Sequence, residues 1–415
     1  MGDPSSVGKL LAPSVDMRIR ITADEVIKPR YSPPSHLRNF ELSLLNQYLP
    51  PWLYCHIILF YTATTSSVNA SEKVSSLKNS LSDTLVLFYP LAGKIKDAMT
   101  IECNDPGAVF IEAQIDTRLS RLMSKPDPDL LHRLLPFNDA DTMGKFANCA
   151  LLLQVTIFDC GGLALAVCPT HKLRDASSMC TFLKAWAKLT TLPDNNCTGD
   201  TVSPLHFLGP SIILPVKHLP DHPFSPHRLD SEKFSSRRFV FSGSNLKSLK
   251  AKSDSIDSSG HQHPTRVEVV QALIVKRASR ASSRLHPGPS LVFQNLNLRN
   301  RINPPVSVDA VGNLVWTPSC FIEEGVTELH QIITTLSFSS LCQFPFYEID
   351  FGWSRPAWIA FPPIFQNLYR MVDSRTGDGV QAWMNMEKEV MASLERDEEF
   401  LAYASIDSPV DINLG

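Results

Sequence analysis

His171-Lys172-Leu173-Arg174-Asp175 is the stretch on which the reading of this chain turns. It follows the apolar run Leu163 to Cys168 and the short link Pro169-Thr170. It precedes a segment in which Met179, Phe182, Leu183 and Trp186 fall on one helical face. The histidine thus stands where a buried strand gives way to a helix, a place from which rigid elements present a side chain to a cleft. Upstream, Ala150 to Thr156 is a second apolar run. Asp159-Cys160-Gly161-Gly162 joins the two runs as a hairpin, with Gly161 and Gly162 supplying the positive backbone dihedrals of the turn.

Working outward, Ser71 to Leu87 has Val74, Leu77, Leu81 and Leu85 at helical spacing, with Ser71 as the expected cap, and Pro90 and Gly93 end it. Thr100 to Glu102 and Val109 to Ala113 are expected strands around the turn Asn104-Asp105-Pro106-Gly107. Residues 1–22 are expected to be a tail, and 23–204 a first domain. Residues 205–235, crowded with Pro210, Pro215, Pro220, Pro223 and Pro226, form an expected inter-domain linker. Residues 236–415 are the expected second domain. It has strands at Arg238 to Phe241, Ser290 to Asn297 and Leu314 to Trp316, and helices at Ser244 to Ser253, Arg266 to about Arg277 and Glu387 to Arg396. Phe344 to Ile349 is expected to be an apolar strand leading into Asp350-Phe351-Gly352-Trp353.

At 415 residues the chain is too long for one ordinary core, so two domains are expected. The net charge is -3 and no basic block occurs, which argues against nucleic acid as a partner. Nine cysteines without a C-x-x-C pair suggest reduced thiols and a cytoplasmic protein, and argue against structural zinc. No apolar run approaches the length of a membrane span, so no membrane partner is expected. His218, His222 and His227 cluster beside Asp221 in the Pro-rich segment, where a solvated linker is the favoured reading and no metal is assigned. G-x-S-x-G, P-loop and G-x-G-x-x-G strings are absent, which removes support for hydrolase, phosphotransferase and dinucleotide chemistry.

The chemistry available to His171 is that of a general base. Imidazole titrates near neutrality, so a small shift lets it take a proton from a hydroxyl group. Asp175 has two readings. It orients His171, as a triad carboxylate does, or it caps the following helix and pairs with a distant arginine. The second is favoured, since a strand-to-helix turn need not bring the two side chains together.

The H-x-x-x-D and D-F-G-W strings, in this order, resemble the signature pair of the BAHD acyl-CoA-dependent acyltransferases of plants. Phe88-Tyr89-Pro90-Leu91-Ala92-Gly93-Lys94, Phe158 to Gly162, Thr265-Arg266-Val267-Glu268-Val269, Asn297-Leu298-Arg299, Asn303-Pro304-Pro305 and Gly312-Asn313 are similar to further family elements. The chain looks closest to the alkaloid O-acetyltransferase branch. The resemblance implies an α/β fold of two chloramphenicol-acetyltransferase-like domains, each a mixed β-sheet with flanking helices, and an active-site channel at their interface. It implies acetyl-CoA or another acyl-CoA as co-substrate, an alkaloid or related small-molecule alcohol as acceptor, no permanent cofactor, and a monomer. His171 is the implied base. Asp175 is implied to face Arg299, while Asp350, Gly352 and Trp353 are structural. Thr265, Asn313 and Arg355 are implied contacts for CoA.

Two departures from the family pattern bear on activity. Ser354-Arg355 stands where the family usually has Gly-Lys, so Ser354 is expected to be strained if a positive dihedral is needed there. Between Asn313 and Phe344 lie 30 residues, markedly fewer than in the family. A shortened pocket wall leaves a second hypothesis open: a catalytically impaired homologue that binds small molecules. A different member of the wider H-x-x-x-D superfamily is disfavoured by the Asp350 motif.

Overall fold

The computed structural model describes residues 17–63, 69–137, 146, 148–192, 207, 232–256, 263–286, 288–322 and 334–410. Most of the expected linker, including His218, His222 and His227, and residues 323–333 of the shortened stretch lie outside them.

Leu163–Pro169 is buried at every position, which is why its sequence is apolar throughout rather than alternating. It lies inside a six-stranded mixed sheet of order Ile19–Ile27, Ala108–Ile115, Leu151–Phe158, Leu163–Pro169, Ile57–Tyr61, Trp358–Ala360. The hairpin between Leu151–Phe158 and Leu163–Pro169 turns on Gly161 at φ +79, whereas Gly162 has no positive φ. The edge strand starts at Ile19, inside the stretch expected to be a tail. Ladder pairing with Ala108–Ile115 extends it beyond what its exposed, mixed sequence suggests.

Helices Ala70–Leu87 and Ala176–Thr190 cover this sheet. The first buries Val74, Leu77, Leu81 and Leu85, and its cap is Asn69 rather than Ser71. Asn69 and Glu72 close a reciprocal capping box, a better arrangement than a lone serine provides. The second helix is tied to the first by Trp186 Nε1, which donates to Leu77 O at 3.2 Å and lies 3.1 Å from Ser80 Oγ.

A second mixed sheet runs in the order Val315–Trp316, Ser290–Asn297, Thr334–Ser340, Leu368–Asp373, Val380–Glu387, Phe234–Phe241, Ser405–Ile406, with Ser319–Phe321 pairing onto Ser290–Asn297. Phe234–Phe241 begins within the stretch expected to be linker. Helices Gly243–Ile256, Arg266–Leu285 and Lys388–Leu394 belong to this half. Leu246, Val270, Ile274 and Met391 pack with the sheet into its own core. No helix among the described residues is long and apolar enough to cross a membrane.

The two halves are not cleanly sequential. Trp358–Ala360 comes from the second half but pairs with Ile57–Tyr61 of the first sheet. Trp358 stacks on Phe60 at 4.9 Å and on Trp383 of the second sheet at 5.8 Å, so one indole bridges both layers. Phe344 to Ile349 is not a strand. Pro345 removes a ladder donor, and Phe346–Glu348 forms a single 3-10 turn.

Candidate functional site

His171 is placed by its backbone. Tyr54 bridges Thr170 as the strand ends, Cys55 N–H donates to Pro169 O at 3.0 Å, and His171 N–H donates to Leu53 O at 2.7 Å. The four residues that follow are buried, while His171 keeps part of its surface open. Its Nδ1 is buried without a hydrogen-bond partner. Burial lowers its pKa below the ordinary histidine value, and the charge of Arg370 pushes in the same direction.

The charged neighbours of His171 are used elsewhere. Lys172 Nζ donates to the carbonyls of Asn46, Gln47 and Ala98 at 3.2–3.4 Å, and burial brings its pKa down to about 8. The Arg174 guanidinium lies over Phe88 at 4.6 Å and Phe182 at 5.6 Å. Sequence reading gave neither residue a role, because their partners are distant in the chain.

The Asp175 carboxylate is engaged by groups other than His171. Its Oδ1 accepts from Ser178 N–H at 2.9 Å, capping the helix, and from Arg299 Nη2 at 3.1 Å. Its Oδ2 accepts from Arg299 Nη1 at 2.5 Å and Leu314 N–H at 2.9 Å. A carboxylate offers about four acceptor sites, and here all are filled, leaving none for His171. Arg299, with no exposed surface, also donates to the carbonyls of Ala310 and Gly312 at 3.0 Å each. This cluster joins the helix after the histidine to the 297–314 loop of the second half.

Asp350, Gly352 and Trp353 belong to a stretch that meets the later part of that helix, with Phe351 against Trp186 and Gly352 beside Thr191. Asp350 Oδ1 accepts from Gly352 N–H at 2.9 Å, and Gly352 has φ +98. Phe351 and Trp353 stack at 5.6 Å, Trp186 meets Phe351 edge-on at 5.0 Å, and the Lys73 ammonium lies 5.8 Å from the Trp353 ring. The motif thus rests on the first half. Ser354 has no positive φ, so the strain expected there is absent. Gly352→Ala is expected to cost about 1–2 kcal/mol, because an added Cβ meets an unfavourable φ and Thr191 Cγ2 at 3.2 Å. A denaturation midpoint equal to the parent's would contradict this.

The three expected CoA contacts differ in standing. Thr265 is engaged as the cap of Arg266–Leu285, its Oγ1 accepting from Glu268 N–H at 3.2 Å. Asn313 is buried with Oδ1 unpartnered. Arg355 is exposed. Two further groups escaped the sequence reading, His56 and Arg370, whose Nε2 and Nη1 lie 2.7 Å apart across the two halves. The signal for Arg370 was a lone charge in the apolar stretch Leu368-Tyr369-Arg370-Met371-Val372.

A profile of the Transferase family matches residues 17–337 and 319–401. Limonoid 1-O-acetyltransferase of Citrus sinensis is 32% identical, the match covering 94% of this chain and 99% of that protein. Stemmadenine O-acetyltransferase of Catharanthus roseus is 32% identical over 92% of this chain and 97% of that protein. The crystal structure of vinorine synthase superposes with a TM-score of 0.74 at 25% identity, covering 95% of this chain and all of that one.

Proposed function

This chain belongs to the BAHD acyltransferases of the Transferase family, and we propose that it moves an acetyl group from acetyl-CoA to a hydroxyl of a polycyclic specialised metabolite, with His171 as general base. That it is an acyl-CoA-dependent O-acyltransferase follows from its relatives; the acetyl group, the acceptor and the residue roles are our reading. The acceptor class rests on relatives that act on a limonoid and on the alkaloid stemmadenine.

The observation that carries the assignment of the base is the contrast within one pentapeptide. His171 alone keeps an open, neutral ring, while Lys172, Arg174 and Asp175 are buried in other duties. Neutral His171 takes the acceptor's hydroxyl proton as that oxygen attacks the thioester carbonyl. The C–O bond forms, the C–S bond breaks, and the imidazolium returns the proton to the CoA thiolate. We place the reaction in a channel between the halves, with Asn313 and Arg355 toward CoA; the buried, unpartnered Oδ1 of Asn313 supports the first of these. The hydroxyl of Thr265 is already engaged. One chain supplies both sides of the site, in keeping with a monomer, and the described cysteines are free thiols, in keeping with a cytoplasmic protein.

Incubation with acetyl-CoA and a panel of polycyclic alcohols tests the reading. Release of free thiol, with an acetyl mass gain on the alcohol, is expected. CoA binding without transfer to any alcohol would favour the impaired homologue instead. The pH profile carries a second expectation. Because burial lowers the His171 pKa, the acidic limb of kcat/KM should have its midpoint below the ordinary histidine value of about 6.5. Activity is full above that midpoint and lost as pH falls through it. A midpoint above 6.5 would point to another base.

A further inference from the structure

Leu53 stands directly opposite His171. The antiparallel ladder between Ile57–Tyr61 and Leu163–Pro169 pairs Ile57 with Val167. The bridge between Tyr54 and Thr170 keeps that register. So do the bonds from Cys55 N–H to Pro169 O at 3.0 Å and from His171 N–H to Leu53 O at 2.7 Å. Leu53 and His171 are therefore the pair at the end of this ladder. Residues paired in this way project their side chains to the same face, with Cβ atoms about 5 Å apart. Side chains alternate along a strand, so the next pair on that face is Cys55 and Pro169.

These neighbours make the surface beside the base apolar. The Cys55 thiol donates to Arg174 O at 3.3 Å, and burial raises its pKa, so it carries no charge. Leu53 is part-buried, and among the described residues it belongs to none of the hydrophobic cores. Its side chain thus has apolar surface that the core does not cover. Its backbone is held: Leu53 N–H closes a turn onto Pro50 O at 3.1 Å. The same turn reaches the junction of the halves, where Trp52 meets Phe365 of the second half at 5.9 Å.

A hydroxyl that gives its proton to His171 brings its own carbon framework to the ring, and Leu53 is the side chain paired with that ring. We propose that Leu53 is a specificity-determining residue for the acceptor: it packs on the carbons next to the reacting hydroxyl and selects alcohols whose hydroxyl is flanked by hydrocarbon. A polar atom at that position loses its water and gains no partner from leucine. This rests on the acyltransferase reading above and narrows its substrate class.

The test uses two decalin alcohols of one configuration that differ only on the ring carbon next to the hydroxyl. One bears an ethyl group there and the other a methoxy group, which has nearly the same shape. Values of kcat/KM with acetyl-CoA are compared for the parent, Leu53→Asn, Leu53→Ala and Leu53→Met. The parent should prefer the ethyl compound. Leu53→Asn loses an apolar contact and offers a donor to the ether oxygen, so the ethyl-to-methoxy ratio should fall about twentyfold. Leu53→Ala only loses the contact and should lower the ratio about fourfold, which carries the test if Leu53→Asn does not fold. Leu53→Met, still apolar, should retain the ratio. A parallel series with acetyl-CoA and hexanoyl-CoA on the ethyl compound should show no change in donor preference. An unchanged acceptor ratio, or a shift in donor preference in its place, would overturn the proposal. If the parent acetylates neither alcohol, the acyltransferase reading fails by itself for these acceptors. The calorimetric dissociation constants of the two alcohols for parent and variants then decide the role of Leu53, with the same change in ratio expected.

Discussion

His171→Ala is expected to lower kcat for acetyl transfer by about a hundred- to ten-thousandfold, the range that general acid–base catalysis contributes. KM should change much less, because the ring acts mainly in the proton-transfer step. The fold should survive: the hydrogen bond that places this residue runs from its backbone N–H to Leu53 O, and alanine keeps it. The variant's denaturation midpoint should therefore stay close to the parent's. Turnover within a few-fold of the parent would remove His171 from the role of base. The residual rate should also lose the acidic limb in its pH profile, since the group that titrates is gone. A general loss of folded protein would show no such selective change.

Asp175→Ala carries the largest expected effect on stability, about 3–5 kcal/mol, because it strands a buried guanidinium. Arg299→Ala should cost a similar amount by stranding the carboxylate, whose acceptors hold together the cap at Ser178, the loop at Leu314 and the arginine. The double replacement should cost less than the sum of the two, as expected for residues in direct contact. Chemical denaturation measures all three. The alternative assignment makes a different prediction. If Asp175 oriented the base, its loss would lower kcat as far as His171→Ala does while the midpoint stayed put. Its filled acceptor sites argue for the stability effect, with kcat per folded molecule within about tenfold of the parent's.

The parts of the fold legible in the sequence are those in which local pattern and burial agree. Leu163–Pro169 reads as a buried strand because every residue is apolar, and Ala70–Leu87 reads as a helix because its apolar residues recur on one face. Ser290–Asn297 was read with its observed bounds. Phe344 to Ile349 was misread for a local reason: its composition suits a strand, but Pro345 breaks the ladder and the segment closes as a turn. The cap of Ala70–Leu87 was misplaced by two residues, because serine and asparagine both cap and only the geometry of Glu72 decides between them.

The site divides in the same way. His171 was legible because the rarer string Asp350-Phe351-Gly352-Trp353 follows its pentapeptide in order and because it stands between a strand and a helix. Lys172, Arg174, His56 and Arg370 were not. Lys172 reaches carbonyls up to 126 positions away, and Arg370 meets His56 across 314 positions. No short-range pattern encodes such separations.

The sequence by itself therefore determined the α/β character, the position of the candidate base at the end of a buried strand, and the family. These follow from periodicity, turn chemistry and motif order, which act over a few residues at a time. The tertiary structure alone decided that Asp175 spends all its acceptors away from His171, that Trp358–Ala360 leaves its own half to complete the first sheet, and that Arg370 of the second half meets His56 of the first. Hydrogen-bond capacity and buried charge are settled only once distant segments meet, and these three features are each set by such a meeting.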